Sequence, residues 1–368
     1  MVLSGRRRSP RLGRHPTALW VVPVGELGGV ARHVLDVAAV GLPGWRLIVL
    51  CPEGELARRL RKAGAAVITG PFGPAAGLHT SVRTLRRHLA AVQPEIVHAH
   101  LAYADVVAAV ARVWTAVRLA TTEHGIAAQD RLYHRTRWKA RAKALLHAGR
   151  LRVTDVAIAV SDATKQAMVE KWHPRNAPLV IRNGVDAPTV RREVEAHRSA
   201  NAEGPRVLSL SRLAPEKQLP ELLHAFAEFH RGVPSARLTV AGEGPERTAA
   251  EAMVKALGLE DAVSFPGFLD PTEAMGRADV LVQLSAWENC SYTLLDAVAA
   301  GLGVVATPVG GNPEILPQDC LPRAGEAQAV AAAIARQADD GGRPVLPPGW
   351  PTREEMAARI VAAYGTLL

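Results

Sequence analysis

Several things are scarce in this chain of 368 residues. It carries three cysteines, Cys51, Cys290 and Cys320. An odd number placed far apart supports neither a disulfide framework nor a four-ligand zinc site, and it points to a reducing, cytoplasmic compartment. No apolar run reaches the roughly 18 residues that a membrane-spanning helix requires. Arg6, Arg7, Arg8, Arg11 and Arg14 precede an apolar run at 18–22, as in a secretory signal. However, the run is short, Pro23 interrupts it, and Gly28-Gly29 follow without a small-x-small cleavage site. Residues 1–16 are therefore read as a disordered basic tail. Aromatics make up only 4% of the chain, too few for the stacking platforms of a nucleic-acid binder, so no nucleic-acid partner is expected.

Acidic residues are thin in the first half. Residues 1–186 hold 28 Lys plus Arg against 12 Asp plus Glu, a balance of +16, whereas the remainder holds 16 against 23, a balance of −7. Halves of opposite sign point to two domains facing different partners, and the length agrees, since about 150 residues make an ordinary domain. Hydrophobic residues at 48% exclude a disordered or fibrous chain.

What the chain does have is a regular alternation. Apolar runs at 18–24, 46–51, 66–69, 96–99, 119–122, 156–160 and 179–181 alternate with amphipathic stretches such as Val82, Leu85, Leu89 and Val92, which Pro94 closes. After a polar stretch at 191–204 the pattern resumes, with strands at 207–210, 237–241, 262–265, 280–284 and 304–307, and helices at 216–231, 245–257 and 291–300. Strands alternating with helices predict parallel sheets covered on both faces. Two doubly wound domains in tandem follow, with the site in the cleft between them at the C-terminal strand ends.

Three motifs fall at such strand ends. Gly25-Glu26-Leu27-Gly28-Gly29-Val30 follows the first strand and opens a helix, where glycines let backbone approach a phosphate. Its spacing is not G-x-G-x-x-G, which disfavours a nicotinamide cofactor. Alone, the loop serves equally as a turn with no ligand. In Ser211-Arg212-Leu213-Ala214-Pro215-Glu216-Lys217, Arg212 and Lys217 bracket a turn as a forked donor and a point charge, a pair suited to pyrophosphate, though such residues are also often merely solvated. In Trp287-Glu288-Asn289-Cys290-Ser291-Tyr292-Thr293-Leu294-Leu295-Asp296, Glu288 precedes a helix N-terminus and Asp296 follows eight residues later, among apolar neighbours where a carboxylate needs a partner. Each carboxylate suits a pair of sugar hydroxyls.

These pieces occur in one order with Val97-His98-Ala99-His100, Thr122-Glu123-His124-Gly125, Ile181-Arg182-Asn183-Gly184-Val185-Asp186, Ala241-Gly242-Glu243-Gly244-Pro245, Phe265-Pro266-Gly267-Phe268 and Gly310-Gly311-Asn312-Pro313-Glu314-Ile315. In this the chain resembles the retaining, nucleotide-sugar-dependent glycosyltransferases of family 4. The resemblance implies an α/β GT-B fold, two Rossmann-like doubly wound domains facing across a cleft. It implies a hexose-type sugar moved from a nucleotide diphosphate, with uridine favoured over guanosine, to a lipid-linked or other envelope glycoconjugate acceptor. By resemblance, Arg212 and Lys217 hold the diphosphate, aided by Gly28, Gly29 and the helix start at Ser291, Tyr292, Thr293 and Leu294. Glu288 binds the transferred sugar and Asp296 the ribose. Gly242, Glu243, Gly267 and Phe268 line the base pocket, and His100 reaches the sugar with His124 beside it. His33, His98 and His134 are read as structural.

The sequence contains no Asp-x-Asp, which fits a site that uses no metal and no cofactor beyond the donor. It departs from the family in having Asp296 where Glu is usual, and Asn289-Cys290-Ser291 where Gly-aromatic-Gly is frequent. The alternative reading is a catalytically weak or silent GT-B binding subunit of a polysaccharide assembly system. The expected organisation is an acceptor-side domain at 17–187, a linker at 188–204, a donor domain at 205–345, and a C-terminal helix at 346–368 packing back on the first domain. Arg131, Arg135, Arg137, Lys139, Arg141, Lys143, Arg150 and Arg152, interleaved with Trp138, Leu145, Leu146 and Leu151, form a basic amphipathic stretch, and Arg83, Arg86, Arg87 and His88 a second basic face. Both suit reversible docking on an anionic membrane, hence a cytoplasmic protein peripheral to the inner face of the plasma membrane.

Overall fold

The structure, a computed structural model, describes residues 15–126, 147–198, 203–339 and 342–367. The first domain is built on β1 (Thr17–Val21), β2 (Arg46–Cys51), β3 (Ala66–Thr69), β4 (Ile96–His100), β5 (Arg118–Glu123), β6 (Val156–Ala159) and β7 (Leu179–Val180). They lie in the order β3-β2-β1-β4-β5-β6-β7. The second is built on β8 (Arg206–Leu210), β9 (Arg237–Ala241), β10 (Val263–Gly267), β11 (Val280–Gln283) and β12 (Gly303–Ala306), in the order β10-β9-β8-β11-β12. Every strand pair is parallel.

Helices cover both faces of each sheet, which is why the strand sequences are continuously apolar rather than alternating. In β1, Trp20 and Ala18 face one layer of helices with Val34, Val37 and Leu56, while Leu19 and Val21 face the other with Leu85, Leu89 and Val107. The second sheet repeats this, Leu208, Leu281 and Val304 to one side and Val207, Val280, Val282 and Val305 to the other.

The direction in which successive strands are added to the sheet reverses between β1 and β4 in one sheet and between β8 and β11 in the other. At such switch points the connecting segments part and leave a crevice beyond the strand ends. Gly28-Gly29 follow β1, His100 ends β4, the turn at 212–217 follows β8 and Glu288 follows β11. All of the motifs quoted above for phosphate and sugar therefore fall at the two crevices.

The stretch assigned to a linker is in part core. The helix Ala187–Glu195 lays Val190 and Val194 against Leu294, Leu295 and Val298 of the second domain, because these two apolar residues recur at helical spacing in an otherwise polar segment. The chain returns at 350–353 beside this crossover: Val185 N–H donates to Pro351 O at 3.0 Å and Trp350 Nε1 to Asn183 O at 3.0 Å. The helix Arg353–Gly365 then packs on the first domain through Met356, Ile360 and Tyr364. Its Tyr364 hydroxyl accepts from Trp20 Nε1 at 2.9 Å and meets His98 Nδ1 at 2.6 Å.

Candidate active site

On the second domain, Lys217 and Glu288 form an ion pair, and Ser285 Oγ joins them, donating to Glu288 Oε1 at 2.9 Å. Both charges are largely shielded from solvent, with side chains 19% and 15% exposed. Gln218, directly after Lys217, sits at φ 48°, an uncommon conformation for a residue with a side chain and one that shapes this turn. The backbone of Glu288 is held from beneath by Gly310: a Cβ there would lie 1.7 Å from Glu288 O, and its φ of 54° also favours glycine. Arg212 stands apart. Its side chain is 72% exposed and its guanidinium donates to the buried Glu216 at 2.7 Å rather than joining Lys217.

The helix Tyr292–Ala300 starts beside this pair, with Ser291 as N-cap accepting from Leu294 N–H at 3.4 Å. Leu294 is thus already capped, which leaves the first-turn N–H groups of Tyr292 and Thr293 as those without an intrahelical partner. The Asn289-Cys290-Ser291 departure has local causes. Asn289 Oδ1 accepts across the cleft from Ile126 N–H at 3.3 Å and Thr164 Oγ1 at 3.0 Å, and Cys290 O accepts from Asn183 Nδ2 at 2.9 Å. These residues fasten the domains together as well as facing the crevice.

Asp296, assigned to ribose hydroxyls, is engaged otherwise here. Arg32 of the first domain donates to its two oxygens at 3.1 and 3.4 Å, while the Arg32 Nε grips Asp36 at 2.8 and 2.9 Å. The guanidinium lies over the Tyr292 ring, 5.5 Å from its centre, and Arg353 approaches Asp36 at 3.6 Å. Burial pushes the Asp296 carboxyl up to about 6, with Arg32 opposing the rise. Burial works against the Arg32 charge, but Asp296 and Asp36 outweigh it and the guanidinium is held firmly protonated.

Around the expected base pocket the residues divide. Gly242 is demanded by packing, since its φ is 136° and a Cβ would lie 1.9 Å from Ser211 O. Its N–H donates to Gly267 O at 2.7 Å, so that carbonyl is already used. Glu243 is exposed, and Phe268 presents an exposed ring at 62%.

On the first domain, Gly28 and Gly29 are exposed, and a Cβ at either would meet nothing within 4 Å. Gly28 has extended backbone at φ 175° that any residue adopts, so what the glycines supply is open room rather than turn geometry. His100 is fully buried and its Nδ1 bonds His124 Nε2 at 2.9 Å. Leu101, next along, has φ 73°, strain of a kind that gathers at functional sites. His33, read as structural, stands in the same group: its ring lies 5.6 Å from that of His100 and 4.8 Å from that of His124. Its Nδ1 is 3.3 Å from both Asn183 Oδ1 and the Tyr292 hydroxyl. Burial lowers His33 to about 4 and holds His98, His100 and His124 well below the ordinary imidazole value, so all are neutral at pH 7.

Sequence reasoning missed Arg32, His33, Ser285 and Asn183. Only Arg32 carried a local signal, an Arg/Asp pair at i,i+4 directly after the glycines; the others meet partners far away in the chain.

The basic stretch needs one correction. Arg150 and Leu151 are buried: Arg150 pairs with Asp105 and Glu123 and lies over Trp172, because two buried carboxylates demand a cation more than solvent does. Arg131, Arg135, Arg137, Trp138, Lys139, Arg141, Lys143, Leu145 and Leu146 lie outside the described residues, as does His134. Arg83, Arg86 and Arg87 are exposed on the helix Leu78–Val92. Among the described residues no helix is long and apolar enough to cross a membrane.

Similarity to known proteins covers both halves. The family described as glycosyltransferase family 4 matches residues 27–188, and the one described as glycosyl transferases group 1 matches 190–344. Among curated proteins, glycogen synthase of Mycobacterium tuberculosis is 27% identical over 359 residues, covering 87% of this chain and 85% of its own. A GDP-mannose-dependent alpha-(1-6)-phosphatidylinositol monomannoside mannosyltransferase of the same organism is 30% identical over 177 residues, 44% of this chain and 46% of its own. Among solved structures, Anabaena HepE in complex with UDP and glucose superposes with a TM-score of 0.78 at 22% identity, covering 96% of this chain and all of that one. With both halves matched in order, and with two parallel-sheet domains whose strand-end crevices carry the shared motifs, the chain belongs to the family 4 glycosyltransferases of GT-B fold.

Proposed function

We propose that the protein is a retaining, metal-independent hexosyltransferase that takes a sugar from a uridine diphosphate donor and passes it to a lipid-linked or other envelope glycoconjugate acceptor. The observation that carries this is the Lys217–Glu288–Ser285 cluster at one switch point, beside the N-terminus of the helix Tyr292–Ala300. Breaking the anomeric bond leaves about one extra negative charge on the diphosphate, and fixed positive charge at that point lowers the barrier. Lys217 and the helix dipole would supply it, with Arg212 swinging in from its exposed position. Glu288, released from Lys217 as phosphate takes over the ammonium, would accept hydroxyls of the sugar, with His100 and His124 on its other side. Front-face attack, in which the leaving phosphate helps remove the acceptor's proton, is the mechanism favoured, since among the described residues no nucleophilic side chain is evident on the reacting face.

Uridine is favoured because HepE was crystallised with UDP and glucose, whereas the mannosyltransferase relative uses GDP-mannose. The acceptor reading rests on the basic first half and on exposed Arg83, Arg86 and Arg87. A second reading, a GT-B subunit that binds without turning over, is favoured by Asp296 being held by Arg32.

The test is a thermal-shift and slow-hydrolysis screen over nucleotide sugars, with Glu288→Ala as control. One donor should raise Tm and be hydrolysed by the wild type, while the variant loses hydrolysis. No shift with any nucleotide refutes the donor reading, and a shift without turnover selects the silent subunit.

A further inference from the structure

Three histidine rings from three separate elements converge where the first domain faces the cleft. His33 comes from the helix Gly29–Val40, His100 from the end of β4, and His124 from just past β5. Each offers one ring nitrogen, and these three atoms all lie within 4.8 Å of one another. The Nε2 atoms of His33 and His100 are buried and have no hydrogen-bond partner among the described residues. A buried polar atom left without a partner is costly, so two in one cluster of rings call for a ligand.

We infer that His33, His100 and His124 form a binding site for a borderline-soft divalent transition-metal ion of the zinc class. Imidazole is the donor such ions accept, and three imidazoles with a fourth position open is a recognised coordination pattern. Asn183 Oδ1 and the Tyr292 hydroxyl sit 3.3 Å from His33 Nδ1, and an oxygen there fixes the tautomer and presents Nε2 with its lone pair free.

Metal–nitrogen bonds of about 2.0–2.1 Å in tetrahedral geometry need nitrogens roughly 3.4 Å apart. The ring nitrogens, which lie within 4.8 Å of one another, therefore adjust by small ring rotations to close on the ion. The three ligands carry no charge, so the ion keeps its full positive charge and its fourth position favours an anion such as hydroxide or phosphate. If the donor reading above holds, occupancy withdraws His100 and His124 from the sugar and blocks the reaction; the ion takes no part in transfer. The metal site itself does not depend on that reading.

The experiment uses the full chain stripped of metal by chelator. Titration with Co²⁺ should develop an intense visible band at one equivalent, Zn²⁺ should displace it, and X-ray absorption of the Zn²⁺ form should show imidazole nitrogens at about 2.0 Å. His33→Gln and, as the more exposed position, His124→Asn should each lower affinity about tenfold or more. Failure of the wild type to bind Co²⁺ or Zn²⁺ with one-to-one stoichiometry overturns the site. So does wild-type affinity in folded His124→Asn, which would place the ion on other histidines. Nucleotide binding by thermal shift, measured alongside without metal, separates failure of this site from failure of the donor reading.

Discussion

Replacing Arg32 by alanine would expose how the two domains are held across the cleft. Arg32 neutralises two shielded carboxylates from opposite domains, Asp36 with 5% and Asp296 with 10% of the side chain exposed. Removing one partner of a buried pair costs about 3–5 kcal/mol, but Arg32 is itself 34% exposed, so solvent screening reduces the expected loss to about 2–3 kcal/mol at pH 7.5. The pH dependence carries the diagnosis. The Asp296 carboxyl is raised from 3.8 to about 6, and a raised carboxyl favours folding most below its unfolded value and loses that contribution as pH rises through the folded one. At pH 5 Asp296 is mostly protonated and needs Arg32 little; at pH 7.5 it is charged and needs it fully. The Arg32→Ala penalty should therefore shrink on going from pH 7.5 to 5. Urea unfolding of wild type, Arg32→Ala, Asp296→Asn and the double variant closes a cycle whose coupling should reach about 1–2 kcal/mol at pH 7.5. Coupling below about 0.5 kcal/mol, or a penalty equal at both pH values, would refute the account.

Gly310→Ala should leave a folded protein with displaced Glu288, since the new methyl collides with that residue's carbonyl, and turnover on the identified donor should fall at least about a hundredfold with Tm lowered only modestly. Tyr364→Phe removes the oxygen shared by Trp20 and His98 and should cost about 1–3 kcal/mol in urea unfolding; no change would mean that the buried contact is not maintained in solution. Arg150→Met leaves Asp105 and Glu123 buried without their cation, and a drop of about 3–5 kcal/mol is expected, relieved towards acid pH because the Asp105 carboxyl is raised to about 6. Flotation with anionic vesicles at low salt tests the membrane proposal: the protein should rise with the vesicles, and Arg83→Glu/Arg86→Glu/Arg87→Glu should sink.

The sequence alone determined the fold class, because a strand buried on both faces must be apolar throughout and its covering helix must be amphipathic, and both patterns are local. It also placed Lys217, Glu288, the two glycines and His100 at strand ends, since switch points fall at C-terminal strand edges whatever the helices do. Tertiary structure decided which side chains meet. Arg32 and Asp296 are 264 residues apart, and Arg150 and Asp105 are 45 apart, so no spacing rule announces either pair. His33 looked like a core histidine because one imidazole on a helix has no distinguishing neighbour in sequence; its partners arrive from β4 and β5 only when the sheet forms. Charge arithmetic likewise saw one basic half, yet folding turned Arg150 inward to satisfy buried acids and left Arg83, Arg86 and Arg87 outside, because burial cost acts on each charge in its own surroundings.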